Sequence, residues 1–337
     1  MRTSLLSLTA ALLTSSAALA DLYIPEGETG TLLHLDRGFE IVARIPGLDN
    51  VHGLAGAPER GLLVAGSLSE SMPGEVAKPA AVSDEEHAAH HGGGTKTVPE
   101  SVRHVTLMDV SSQEILRRIE VPGIVHHVEV SADERYAVVT HPTSETVSVI
   151  DLESGEVTAT VATGPIPEYA VADPVTGNFF VSNAGNDTIS VLDPRAGIVD
   201  RNFRLDGPPK HMILDAGARR LFVSQSDVGR VAILDADSGE TLESFEIGGE
   251  LHGIAVDETA IWSSARERDR VVRIDRESGE RLEVEVGPEP YHMMRVENAL
   301  VVSSAEDAVI WVLDPTTLEL RNSVTTQSIA HQMVEMP

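Results

Sequence analysis

One segment recurs along the chain. "TVSVIDLESGEVTATVATG" (146–164), "TISVLDPRAG" (188–197), "RVAILDADSGETLESFEIGG" (230–249), "RVVRIDRESGERLEVEVG" (270–287) and "VIWVLDPTTLELRNSV" (309–324) share one pattern. An alternating apolar strand ends in Asp, a turn of Asp, Ser, Pro or Gly follows, and a second strand begins. Asp151, Asp193, Asp235, Asp275 and Asp314 are spaced by 42, 42, 40 and 39 residues. A period near forty with four short strands per unit predicts an all-β fold, a β-propeller. Units begin near His52, His126, Tyr169, His211, His252 and His292. A seventh inner strand, "AHQMVEMP", ends the sequence without outer strands after it. The missing strands stand at the other end, in "DLYIPEG", "TLLHLDRG" and "FEIVARIPG". The pattern predicts seven blades in one domain (21–337), the last closed by N- and C-terminal strands together. Closure removes free sheet edges. An open solenoid fits less well, because its terminal units would resemble caps rather than complementary halves.

"FFVSNAGNDTISVLDP" (179–194) resembles the YVTN β-propeller repeat of exported bacterial and archaeal proteins. The likeness extends over the chain after its first twenty residues and is strongest in blades three to six. It implies a seven-bladed propeller. Relatives in that fold include the propellers of nitrous oxide reductase and cytochrome cd1, lactonase-like enzymes, and a periplasmic zinc chaperone that passes metal to a solute-binding protein. The fold alone does not choose among them.

The first twenty residues, "MRTSLLSLTAALLTSSAALA", read as a secretory signal peptide: a positive start, an apolar run, and a small-x-small site with cleavage expected after Ala20. The apolar run is short for a membrane span. A soluble, exported, periplasmic chain is expected, with no membrane span after cleavage and monomeric. It has no cysteine. That excludes disulfides, thiolate metal sites and c-type haem attachment. A net charge of −28 argues against nucleic acid as a partner.

Histidine marks the blade starts. The inner strands align as "VHGLAGA", "VHHVEVS", "EYAVADP", "KHMILDA", "LHGIAVD", "YHMMRVE" and "AHQMVEM", with His at one position in six of the seven. Blade three carries Tyr169 there, and blade two has a pair. So seven of the thirteen histidines, His52, His126, His127, His211, His252, His292 and His331, fall where each chain crosses to the next blade. Those crossings ring the channel mouth. Such histidines could bond the neighbouring blade's backbone, copied by duplication. Converging imidazoles are also the commonest nitrogen ligands for zinc and copper. Zinc takes about four ligands, so a subset or two sites is expected.

An insert at residues 69–102 interrupts blade one. "SDEE" reads as a capping box, followed by a short helix over 84–91 that aligns His87, His90 and His91 as further candidate ligands. Its flanks read as flexible tether, and it is expected over the histidine ring. His141, at another second-to-third loop, could join the same face and is otherwise expected at the surface. His34 and His104 read as structural, and Met212, Met293, Met294 and Met333 as blade packing.

Four functions follow. The first is a metal-binding chaperone or buffer, for zinc or alternatively copper, with a periplasmic solute-binding or other metal-binding protein as partner. The second is a copper enzyme similar to nitrous oxide reductase, which would need electron-entry groups this chain lacks. The third is metal-assisted lactone or ester hydrolysis, for which no distinctive carboxylate set stands out; Glu129 and Glu168 are near the ring only by register. The fourth is an interaction scaffold. None of them names a catalytic residue.

Overall fold

The computed structural model describes residues 20–68 and 103–337. The signal-peptide reading of residues 1–20 and the insert with His87, His90 and His91 therefore lie outside the described residues, apart from Ala20.

Seven four-stranded antiparallel sheets make up the fold. Blades one to six take their four strands consecutively, and their inner strands are Val51–Ala57, Val128–Val130, Pro167–Ala172, Pro209–Asp215, Leu251–Val256 and Pro290–Val296. The last sheet is composite. Its inner strand is Val334–Met336, paired antiparallel with Asp21–Glu26, and Thr31–Leu35 and Ile41–Pro46 follow outward. Tyr23 faces Val334 and Asp21 faces Met336 across that seam, with a further bridge from Glu26 to Ala330. The molecule is a seven-bladed β-propeller.

The turn that defines the repeat has a local cause. Asp151 accepts backbone N–H bonds from Glu153 and Ser154 at 3.0 and 2.9 Å, which folds the chain back at the strand end. Asp193, Asp235, Asp275 and Asp314 do the same. Four residues after each Asp the backbone turns left-handed, which glycine adopts without strain. Gly155, Gly197, Gly239 and Gly279 fill that place, and blade six puts Leu318 there at φ 59°. Asp109 is a sixth member that the repeat comparison missed, bonded to the Ser112 N–H at 2.7 Å. It stands 42 residues before Asp151, so the spacing could have found it.

Both faces of each blade pack on neighbours, so second strands are buried throughout. "LFVSQ" of blade four is an example. Buried apolar residues form one cluster at each blade junction around the ring. Outer strands such as Thr241–Glu246 face solvent. This arrangement puts every inner-strand start at one end of a central channel.

His141 departs from the expected surface position. It ends the second strand of blade two and is fully buried under the segment that crosses from blade one. One ring nitrogen, Nδ1, donates to the Ile124 carbonyl at 3.1 Å, and Nε2 lies 2.8 Å from the Ser148 hydroxyl. Asn183 holds the matching place in blade three, donating to Ser190 at 2.9 Å and accepting from the Gly164 N–H at 3.0 Å. The position is a structural tie that a polar side chain fills in each case.

Burial pushes the His141 imidazole down to about 4 from an ordinary 6.5. Below about pH 6.5 the unfolded chain therefore gains a proton that the folded chain refuses. The stability this group contributes is whole above that pH and is lost progressively as pH falls towards 4. The full loss is about 3 kcal/mol. His141→Asn should lose less stability between pH 7 and 4 than the native chain, by about that amount, in urea unfolding at each pH. Parallel curves for the two proteins would refute the assignment.

Candidate metal centre

The crossing residues bring seven imidazoles to one end of the channel. His331 and His52 have ring centroids 4.2 Å apart, and His52 and His126 lie at 4.5 Å. Around the other side, His127 packs on Tyr169 at 3.5 Å, Tyr169 on His211 at 4.3 Å, and His211 on His252 at 4.4 Å. Tyr169 thus occupies in blade three the place histidine holds elsewhere. Tyr291 also enters the layer, 3.8 Å from His252 and 4.4 Å from His292. It went unnoticed in the sequence, although it stands directly before a ring histidine as an aromatic neighbour. His292 reaches across the layer. Its ring lies 4.9 Å from His211, 5.0 Å from His252, 5.7 Å from His52 and 6.1 Å from His331.

Two overlapping triads result. His52, His292 and His331 form one, and His211, His252 and His292 the other, with the ligand atoms of each within 4.8 Å of one another. His292 belongs to both. His126 and His127 belong to neither.

Hydrogen bonds decide which ring nitrogens face inward. A carbonyl accepts only from an N–H, so the His52 contact to the His126 carbonyl at 2.6 Å puts the proton on Nδ1. Its Nε2 lone pair is left free, the usual arrangement for a metal-binding imidazole. His126 likewise bonds the Glu168 carbonyl through Nδ1 at 3.0 Å. His127 is reversed: its Nδ1 accepts the Ala170 N–H at 3.2 Å, so the proton sits on Nε2. In the neutral ring neither of its nitrogens is free for a metal.

Several inner nitrogens have no hydrogen-bond partner among the described residues: Nε2 of His211, both nitrogens of His252, Nε2 of His292 and Nδ1 of His331. Leaving a buried polar atom unpaired costs about 1–3 kcal/mol. Burial holds His52, His211, His252 and His292 well below the ordinary imidazole range, with neighbouring imidazoles adding to the effect. Burial, then His126, pushes His331 down to about 4. These five imidazoles are neutral near pH 7, so their lone pairs are not taken by protons.

Charged groups surround it. Glu168 lies 3.6 Å from His126 Nε2 and 3.8 Å from Lys210 Nζ. Arg266 bridges Glu250 and Glu289 at 3.3 and 2.7 Å and lies over the Tyr291 ring. Glu129 lies further down the channel, where it accepts the Ala172 N–H at 3.2 Å and burial raises it to about 7. Register placed both carboxylates near the ring; Glu168 lies there beside His126, and Glu129 lines the channel beyond it. His34 stacks on Tyr23 at 4.4 Å and bonds Asp21 at 2.8 Å, a structural use. Met212, Met293, Met294 and Met333 pack in blade-junction clusters rather than joining the triads.

No family model matches the sequence, and no curated protein does. Solved structures do match by shape. The periplasmic gluconolactonase PpgL of Pseudomonas aeruginosa is similar with a TM-score of 0.72 at 15% identity, over 94% of this chain and 99% of that one. A putative 6-phosphogluconolactonase from Bacteroides fragilis is similar with a TM-score of 0.73 at 11% identity, over 96% of this chain and 99% of that one. The dihydro-heme d1 dehydrogenase NirN gives 0.63 at 15% identity; the match takes in 91% of this chain but only 64% of NirN. At these identities the likeness is one of fold. No helix among the described residues is long and apolar enough to cross a membrane.

Proposed function

We propose that this protein is a periplasmic metal-binding propeller, for zinc first and copper second, that buffers the ion or passes it to a protein acceptor. The observation that carries the reading is the pair of imidazole triads sharing His292. Nitrogen-only donor sets suit zinc and copper, and the absence of cysteine leaves imidazole as the strongest donor in the chain. A bound ion would give partners to the ring nitrogens that now lack them. The reading of residues 1–20 as a secretory leader supports the compartment. A periplasmic solute-binding or other metal-binding protein is the acceptor this reading names.

A second reading has one observation behind it. Three ligands leave a fourth position open on zinc, where water can be activated. Lactone hydrolysis then becomes available, the activity named for PpgL. Two measurements on the native chain, purified without a histidine tag, separate the readings. Metal analysis should find about one zinc per chain, and the zinc-loaded protein should leave glucono-δ-lactone at its spontaneous rate. Rapid zinc-dependent turnover would favour the hydrolase. Zinc that neither copurifies nor competes with a chromophoric chelator would overturn both.

A further inference from the structure

A cavity of about 550 Å³ continues along the channel beyond the imidazole layer. Its walls come from residues that follow the ring histidines in their strands: Met212 to Leu214 after His211, Ile254 to Val256 after His252, and Met293 to Arg295 after His292. It is therefore separate from the triads and lies toward the opposite face. Val171, Met212, Ile213, Ile254 and Met293 make it mostly apolar. Glu129 is its one lining carboxylate, and Arg295 its one lining cation.

These two charges are treated differently. Arg295 is already engaged: it donates to the Val296 and Glu297 carbonyls and lies 3.6 Å from Asp257. Glu129 has one oxygen on the Ala172 N–H, and its second oxygen has no hydrogen bond among the described residues. The Tyr169 hydroxyl, also in the lining, has none either. A carboxylate held beside apolar walls without a counter-charge is costly; that cost is what raises Glu129 to about 7, and a cation on its free oxygen would keep it ionised. The cavity volume falls in the range of small-molecule sites, which combine apolar walls with a few fixed polar groups.

The geometry points to a binding site for a small organic ammonium with an apolar body, its nitrogen on Glu129 and its body along the partly exposed Val171, Ile213 and Met293. An ammonium brings opposite charge and N–H donors to the free oxygen. A neutral alcohol brings a donor without the charge, and a carboxylate of the same length meets repulsion. The net charge of −28 draws cations to the molecule generally. The site does not depend on the metal reading.

The test is calorimetric titration of the native chain with hexylamine, hexanol and hexanoate, in zinc-free and zinc-loaded protein. Hexylamine should bind roughly 10-fold tighter than hexanol, and hexanoate should not bind. Glu129→Gln keeps an acceptor for the Ala172 N–H and should bring hexylamine to the hexanol level, with hexanol unchanged. Val171→Phe, which narrows the cavity, should weaken both, and decides the matter should Glu129→Gln fail to fold. Equal binding of amine and carboxylate, or undiminished amine binding by Glu129→Gln, would overturn the proposal. So would loss of amine binding on zinc loading, which would put the amine on the imidazoles.

Discussion

Replacing His292 with alanine should weaken zinc binding more than about 100-fold, because it removes a ligand from both triads at once. Replacing His331 or His211 alone leaves one triad whole, so each should cost less than His292→Ala. The order of the three variants is the informative result. His292 Nε2 has no hydrogen bond to lose, but the ring is buried, so the cavity left by alanine should lower folding stability by about 2–4 kcal/mol. Competition against a chromophoric chelator measures affinity, and thermal unfolding of the zinc-free proteins checks the fold. Native affinity in His292→Ala would sink the shared-ligand reading. Equal losses in all three variants would mean that the two triads act as one site.

Deleting residues 330–337 should unfold the ring or lower its melting temperature by roughly 10 °C or more. The segment supplies the inner strand of the last blade. Ala330, Met333 and Met336 are buried in the clusters on both sides of that blade. Removing a buried Met side chain costs about 2–5 kcal/mol, so two of them rival the whole stability margin of a domain. Gln332 adds a tie between blades. Its oxygen accepts the Leu54 N–H at 3.0 Å and its nitrogen donates to the Val128 carbonyl at 3.1 Å, linking blades seven, one and two. Gln332→Leu should therefore cost about 1–3 kcal/mol by orphaning two buried backbone groups. Native-like melting of the truncated chain would show that the closing strand is dispensable.

The deletion follows from the repeat alone, whereas the Gln332 tie does not, since its partners lie in other blades. The blade count was legible because its causes are local. An Asp that caps its own turn and a glycine four residues on recur at fixed spacing, and these bonds span two to four residues. The closure was legible because the terminal strands are complementary fragments of one unit. That histidines mark the crossings was legible too, since register places one residue per blade at the same height.

What each imidazole does there was settled by contacts between distant segments. His52 bonds a carbonyl 74 residues away, and His127 is turned over by an N–H 43 residues away. Adjacent in sequence, His126 and His127 thereby present opposite nitrogens. Tyr291 and Tyr169 fill gaps between rings, and His292 reaches far enough to serve both triads; rotamers and blade packing decide this, and a repeat pattern carries neither. His141 read as a loop residue because it ends a strand, yet the crossing segment at Gly123 and Ile124 packs against it and bonds its ring. Sequence alone determined the ring of blades and the place where histidines gather, because strand alternation and turn chemistry act over a few residues. The tertiary structure decided which nitrogens meet, what stays unpaired and which carboxylate faces the channel, because burial and hydrogen-bond partners come from other blades.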